Sequence, residues 1–524
     1  MTQRPRLVGT HPCPGGAALT AHTRRALVAS SSMSTTGTAL IDFDDTFVTA
    51  LSGLYEPWQA ATAPAPSLLE LNEPLAAELG LDVEQLRSSS GIDVLVGNAT
   101  LPGSSPVAQA YAGHQFGNYS PRLGDGRALL LGEVVDDSGR RRDLHLKGSG
   151  RTPFSRGGDG KALVGPMLRE YVMGEAMHAL GIPTTRALAV LATGETVRRE
   201  TEMPGAVLVR VAASHLRVGT FQYAAATGDV ALLRRLADYA IERHHPSARD
   251  ADEPYLAFYE RVLVLQAELV AQWMLVGFIH GVMNTDNVTI SGETIDYGPC
   301  AFMDRFDPAT VFSSIDHGGR YAYGNQPMIM QWNLARLAEA LLPLLGPDTD
   351  TAIANATGVL ESFPGHFTRR FDAGMRAKLG LTGLDVDATL ADEFLGMLHA
   401  QDVDLTSAFR SLSSVLRGDD SAARALFTEP DVFDEWSTRW QATVSERDLA
   451  ADAVADEMDA VNPAVIPRNH LVEEALDAAT AGDLTLVDRL VDVLHDPFAD
   501  PAHDEPLARP APSDARPHVT FCGT

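Results

Sequence analysis

Five short stretches of this chain hold side chains that can do chemistry as a group. Gly124-Asp125-Gly126-Arg127 is a glycine-rich turn, Lys147 ends an alternating segment behind it, and Glu170 lies in a helix-like segment after that. His280 to Asn287 and Asp296-Tyr297-Gly298 follow. A lysine neutralises phosphate oxygens, a glutamate on a neighbouring helix holds the lysine, and an amide and a carboxylate offer oxygens to a hard cation. In this order the residues point to a nucleoside triphosphate bound with a divalent metal. Each alone has a plainer reading: a strand-end lysine is usually solvated, a helix glutamate usually lies on an exposed face, and Asp-aromatic-Gly is a common turn.

The elements that must position them can be read from pattern and punctuation. Leucine and alanine spacing predicts a short amphipathic helix over Leu68 to Leu81, and Tyr111 to Pro121 reads as a glycine- and aromatic-rich loop. Ala128 to Val135 is β-compatible, Asp137-Ser138-Gly139 is a turn, and Arg141 to Lys147 sets Leu144 and Leu146 on one face, so a β-hairpin is expected. A helix carrying Glu170 should start near Pro166 and stop at Gly181. Ala206 to Ala212 is another β-rich run, residues 229–279 are largely helical with breaks at Pro246 and Pro254, and Gln331 to Leu345 is strongly amphipathic. Strands followed by helices give an α+β, two-lobed architecture. The expected parts are a leader over 1–40, a β-containing nucleotide lobe over 41–220, a helical lobe with the catalytic and metal-binding loops over 221–495, and an extended tail over 496–524 whose last residues dock back.

Some familiar sites are absent. A Walker A loop needs glycine where Ser155 stands and a hydroxyl where Ala162 stands; Gly148-Ser149-Gly150 has Pro153 at the third glycine of a dinucleotide fingerprint. The surviving order is that of protein kinases. His280 and Asn287 are seven residues apart, as in the kinase catalytic loop. The kinase catalytic aspartate is replaced by Val282, which accepts no proton, and Asp286 is the one carboxylate left in the loop.

Bulk properties narrow the class. With 524 residues, 45% hydrophobic and 21% charged, the chain has the composition of a globular enzyme. A formal charge of −28 argues against nucleic-acid binding, so a triphosphate site must be a local basic pocket. The apolar stretch Val262 to Met283 is interrupted by Gln266, Glu268, Gln272 and His280 and reads as a buried helix rather than a membrane span. Cys13, Cys300 and Cys522 are too few and scattered for a disulfide framework, which suits a reducing, cytoplasmic setting. Residues 1–40 carry arginines and no acidic residue, like a transit peptide; the alternatives are an unstructured leader or a true start at Met33.

Four longer blocks, Tyr111-Ala112-Gly113-His114-Gln115-Phe116-Gly117, Leu146-Lys147-Gly148-Ser149-Gly150, His280-Gly281-Val282-Met283-Asn284-Thr285-Asp286-Asn287 and Arg320-Tyr321-Ala322-Tyr323, resemble the selenoprotein O family from about residue 45 onward. The resemblance implies a protein-kinase-like fold in which ATP lies reversed, so that AMP rather than phosphate is transferred to Ser, Thr or Tyr hydroxyls of proteins. It implies that Gly124, Gly126, Arg127, Lys147, Asp159, Gly160, Arg210, Arg217 and Asp296 bind nucleotide, that Glu170 orients Lys147, that Asn287 and Asp296 hold Mg2+ or Mn2+, and that Asp286 is the base. It also implies a redox role for Cys522; a flexible tail from Asp496 onward would bring that residue to Cys300, two residues after Asp296-Tyr297-Gly298, where oxidation would tether the tail and thioredoxin-like systems would reverse it. Several readings stay open beside it: Asp286 as a structural residue, the arginines as exposed ion pairs, the two cysteines as unrelated thiols, and the whole chain as a nucleotide-binding pseudokinase scaffold or a UMP transferase.

Overall fold

The computed structural model describes residues 40–386, 388–500, 502, 505–512 and 518–520. The leader expected over 1–40 lies outside the described residues save for Leu40, as do Cys13 and Cys522.

One antiparallel sheet frames the N-terminal half. Its strands are β1 (Tyr55–Pro57), β2 (Ser67–Leu71), β3 (Val107–Gln109), β6 (Ala128–Val135), β7 (Arg141–Lys147), β8 (Ala162–Leu163), β9 (Arg186–Arg198) and β10 (Glu202–Ala212), and between β3 and β6 lies a separate small hairpin of β4 (Gly113–Gln115) and β5 (Asn118–Ser120). The order is β1-β3-β6-β7-β10-β9-β2, with β8 on β10. Strand alternation decides which side chains reach the site. Leu144 and Leu146 enter the core with Val207, Val209 and Val211, whereas His145 pairs across from Arg210 and Lys147 from Leu208, so His145, Lys147 and Arg210 share the opposite face.

The region expected as a helix from Leu68 to Leu81 is instead strand β2 followed by a helix, Glu73–Glu78. Asn72 separates the two: its side chain accepts from Leu75 N and Pro74 occupies the first turn, so the helix starts only there. The leucines before it pair with β9 instead. The loop expected over Tyr111 to Pro121 contains the β4–β5 hairpin.

The helix carrying Glu170 runs Val164–Ala179 with Pro166 in its first turn, and it is buried along nearly its whole length. The 229–279 region resolves into helices Val230–His244 and Pro254–Leu275 around a short 3-10 turn at Pro246–Asp250. After the second helix, β11 (Phe278–Ile279) pairs with β12 (Ala301–Phe302), and this two-stranded clasp brackets the loop from His280 to Cys300. The amphipathic run expected over Gln331 to Leu345 is the helix Gln326–Leu341 plus a 3-10 turn.

A second, helical core surrounds Phe394, Phe409, Trp436 and Trp440. Arg468, fully buried, ties the last helices to both parts: it donates to Asp404 at 2.7 and 3.0 Å and to Asp304 at 2.7 Å, while Asn469 donates to Phe302 O at 2.8 Å. The mixed α+β, kinase-like fold expected from the sequence is the fold observed. No helix among the described residues is long and apolar enough to cross a membrane.

Candidate active site

The sheet face bearing Lys147 and the loop bracketed by β11 and β12 enclose a cleft of about 530 Å³. At its centre is a cluster of opposite charges. Lys147 Nζ donates to Glu170 Oε2 at 2.6 Å and to Asp296 Oδ1 at 2.7 Å. Arg210 donates to Glu170 Oε1 and to Asp296 Oδ1, both at 2.6 Å. Arg217 Nη1 lies 3.5 Å from Asp296 Oδ2, donates to Asp286 O at 2.9 Å, and its guanidinium stacks on Tyr111 at 4.4 Å. Asp125 and Asp286 also face Arg217, but with Arg127, Arg156, Lys161 and Arg199 the cleft lining as a whole holds more cationic than anionic side chains, inside a chain of −28. Such a lining is chemically suited to a polyphosphate.

Burial alone would raise the Asp296 carboxyl, but Lys147, Arg210 and Arg217 outweigh it and hold it well below the usual carboxylate range. Asp296 is also one of few non-glycine residues with positive φ, +65°. Its backbone is therefore held in an uncommon state by its surroundings, which is typical where a side chain must point at a fixed place.

Asp286 sits in the short turn Thr285–Asn287 and is buried. Gln115 lies beside the carboxylate, whose Oδ1 is buried with no hydrogen-bond partner among the described residues. Burial pushes its pKa up to about 6, offset only in part by Arg217. A carboxylate so poised takes up a proton far more readily than an ordinary aspartate. Gly113 of β4 presses directly on it: a Cβ there would collide with Asp286 Oδ1 and stand 2.7 Å from Leu123 Cδ1. The glycine is what lets the hairpin close over the aspartate.

The fold gathers Gly124, Gly126, Arg127, Lys147, Asp159, Gly160, Arg210, Arg217, Asp286, Asn287 and Asp296 around this one cleft, with Glu170 beneath Lys147. Gly124, φ +65°, lies against the Phe154 ring where no side chain would fit, and Gly160, φ +71°, lies against the Gly150 carbonyl. Asp159 is at the rim, paired with Arg199 at 2.7 Å. His280 is buried with Nε2 on Ile295 O at 2.9 Å and acts as a brace of the loop, away from the cleft lining. Cys300 is fully buried behind the cleft, and burial pushes its thiol up to about 12.

The donor set suits a hard cation. Asn287 spends its amide nitrogen on Val282 O at 3.0 Å, which leaves its carbonyl oxygen for a metal beside the Asp296 carboxylate. Among the described residues no group of three His, Cys, Asp or Glu side chains is placed to hold a metal alone. A cation at Asn287 and Asp296 would complete its shell with phosphate oxygens and water, the usual habit of magnesium.

Sequence reasoning gave no role to Tyr111, Gln115, Asp125, His145 or Arg199, all of which line the cleft. His145 was within reach, since period two from Lys147 places it on the same face. It bonds Asp125 through Nε2 at 3.0 Å and so braces the glycine-rich turn. Arg199 pairs with Asp159 from 40 residues away and leaves no local signal.

Known proteins resemble this chain over most of its length. The sequence model of the family described as "Protein adenylyltransferase SelO" matches residues 39–495. The chain is 60% identical over 500 residues to "Protein nucleotidyltransferase YdiU" of Mycolicibacterium smegmatis, covering 94% of this chain and 100% of that protein. Proteins of the same name from Cereibacter sphaeroides and Pseudarthrobacter chlorophenolicus are 59% and 58% identical, over 92% and 91% of this chain and 99% and 97% of theirs.

Proposed function

The chain belongs to the protein adenylyltransferase SelO family and is a protein nucleotidyltransferase; from that premise we propose that it transfers AMP from ATP onto Ser, Thr or Tyr hydroxyls of proteins, releasing pyrophosphate. One observation carries the reading. The kinase catalytic aspartate is missing at Val282, and the buried, proton-ready carboxylate in the cleft is Asp286 instead, opposite the Lys147–Arg210–Arg217 cluster.

In the proposed step the acceptor hydroxyl oxygen attacks the α-phosphorus. Its O–H proton passes to Asp286, the new O–P bond forms, and the bond from the α-phosphorus to the bridging oxygen breaks. Pyrophosphate leaves with that electron pair and is held by Lys147, Arg210 and Arg217, whose charges lie where the negative charge grows. Glu170 keeps Lys147 from turning away, and Gly124, Gly126 and Arg127 cradle the rest of the nucleotide with Asp159 and Gly160. Asn287 and Asp296 would hold Mg2+ or Mn2+, which when bound neutralises phosphate charge and aligns the triphosphate.

Chromatography of the nucleotide products tests the reading. Pyrophosphate formed in step with acceptor modification is expected; ADP as the product would mean phosphoryl transfer and would overturn it. The same assay with UTP decides between AMP and UMP transfer, and neither product from either nucleotide would leave a scaffold.

The tail gives a second, smaller proposal. Thr520 pairs with Ser313 and donates Oγ1 to Pro299 O at 2.9 Å, so the chain two residues before Cys522 is fastened one residue before Cys300. We propose that a peroxide-class oxidant takes two electrons from these cysteines, whose two thiol protons leave with the water formed, to give a disulfide that thioredoxin-like reductants reverse. Mass spectrometry of the non-reduced protein should find the cross-linked peptide, and free thiols at both positions after mild oxidation would end the idea.

A further inference from the structure

Two stretches that stand out in the sequence have so far been given no part in holding the acceptor: Tyr111 to Gly117, whose inner side packs on Asp286 and Arg217, and Arg320 to Tyr323. The fold joins them on the outer side of the Asp286 loop. His114 N donates to Thr285 Oγ1 at 2.7 Å, Phe116 N donates to Asn284 Oδ1 at 3.0 Å, and Tyr321 Oη donates to the same Asn284 oxygen at 2.6 Å. The rings of Phe116 and Tyr321 pack 5.1 Å apart. One hairpin therefore touches the base at Gly113 and the Arg320 guanidinium at Gly117, where a Cβ would lie 3.7 Å from Arg320 Cζ.

Away from the loop this junction presents a surface of arginine and aromatic rings. Arg320 stacks over Trp332 at 4.8 Å and Arg336 at 5.1 Å, and His114 meets Trp332 edge-on at 5.3 Å. Met328, Trp332 and Arg336 recur every four residues on helix Gln326–Leu341 and share one of its faces. Two large apolar side chains are exposed in these same elements, Tyr119 in β5 and Met328 on that helix, and a third, Ile315, is exposed in the cleft lining. Arg336 is paired with Glu339 at 2.7 Å. Among the described residues no carboxylate lies within ion-pair distance of the Arg320 guanidinium, although Asp316 accepts from its backbone N at 2.9 Å; Nε is buried without an acceptor in both arginines, so an incoming anion would meet the outer nitrogens. An arginine held over tryptophan without a counter-ion at ion-pair distance, in so acidic a chain, is set for an anion that arrives from outside.

We propose that this surface docks the acceptor protein and that Arg320 binds an Asp or Glu side chain close to the hydroxyl that is modified. The proposal rests on the nucleotidyl-transfer reading for what is docked. Four residues separate Gly113 at the base from Gly117 at the arginine, a span of at most about 14 Å. The acidic side chain thus lies within about four positions of the acceptor residue.

Fluorescence anisotropy tests this with labelled serine peptides carrying Glu or Gln at the flanking positions, titrated with the full chain plus Mg2+ and a non-hydrolysable ATP analogue. The Glu peptide should bind about fivefold or more tightly than the Gln peptide, with the difference shrinking as salt is added. R320Q should abolish the preference while leaving affinity for the ATP analogue and melting temperature unchanged. R320E should shift preference to a Lys-flanked peptide, and R336Q, whose arginine already has Glu339, should keep the Glu preference. Equal binding of both peptides to the wild type, or a preference that survives R320Q, overturns the proposal. Self-association of the chain that R320E abolishes, without peptide binding, also overturns it, because the face would then be covered by a second copy. Transfer from α-labelled ATP, measured in parallel, separates the two claims: labelling without charge preference removes only the docking surface, and charge preference without labelling removes only the transfer reading.

Discussion

Replacing Gly113 by alanine should cripple transfer without weakening nucleotide binding. The added methyl group would collide with Asp286 Oδ1 and stand 2.7 Å from Leu123 Cδ1, where ordinary contacts begin at 3.4 Å. Leu123 is buried and the hairpin is fastened by Thr285 and Asn284, so neither side yields freely. Asp286, the proposed base, must shift by roughly 1 Å, and a misplacement of that size costs about 10²-fold in rate. Overpacking of this kind should also destabilise the fold by about 1–3 kcal/mol. With an unfolding entropy of about 2.1 cal/mol/K per residue, that corresponds to a melting temperature only about 1–3 °C lower. Gly113 has an ordinary backbone conformation, so no strain beyond the collision is expected. The assay is single-turnover transfer of α-label, with calorimetry of the ATP analogue alongside. A G113A enzyme that transfers at the wild-type rate would refute the role of the hairpin in placing Asp286.

Three further outcomes are expected. D296A should abolish metal-dependent ATP binding, because Asn287, the other ligand proposed, brings no charge; unchanged calorimetric affinity would remove Asp296 from the site. K147A should lose transfer yet fold, since Glu170 keeps Arg210, whereas E170A should melt distinctly lower because two buried cations lose one of their carboxylates; thermal melts of both variants decide this. D286N should slow transfer by about 10²-fold or more and at the same time raise stability near neutral pH. Burial lifts the folded pKa to about 6 from a usual 3.8, so the ionised carboxylate costs roughly 3 kcal/mol above pH 6, and this cost fades as pH falls through 6 toward 4. In wild type the transfer rate should rise with pH through the same region as the base ionises. Melting curves of the pair that do not converge on acidification would contradict the assignment.

The features that sequence made legible are those with a local physical cause. Alternation placed Lys147 on the cleft side of its strand and Leu144 and Leu146 in the core, and proline in the first turn with glycine at the end marked the helix of Glu170. The region 68–81 misled because its leucines satisfy both periods, and only the Asn72 cap decides where strand gives way to helix. The long strand β9 carries Ala, Gly and Thr that blur its alternation, and it was not anticipated. In the site, the order of Lys, Glu, Asn and Asp was readable, while the pairings of Arg210 with Glu170 and Arg199 with Asp159 join residues 40 apart in the chain and arise only from sheet register and loop closure. The raised pKa of Asp286 depends on its covering by the β4–β5 hairpin, a contact across more than 170 residues.

The central claim is that the α-phosphorus of ATP, with its nucleoside, becomes bonded to protein. Incubation of the full chain and acceptor proteins with Mg2+ and either α-labelled or γ-labelled ATP measures this directly. The account predicts protein-bound label from the α position alone, abolished by D296A and strongly reduced by D286N; label from the γ position, or none from either, would contradict it.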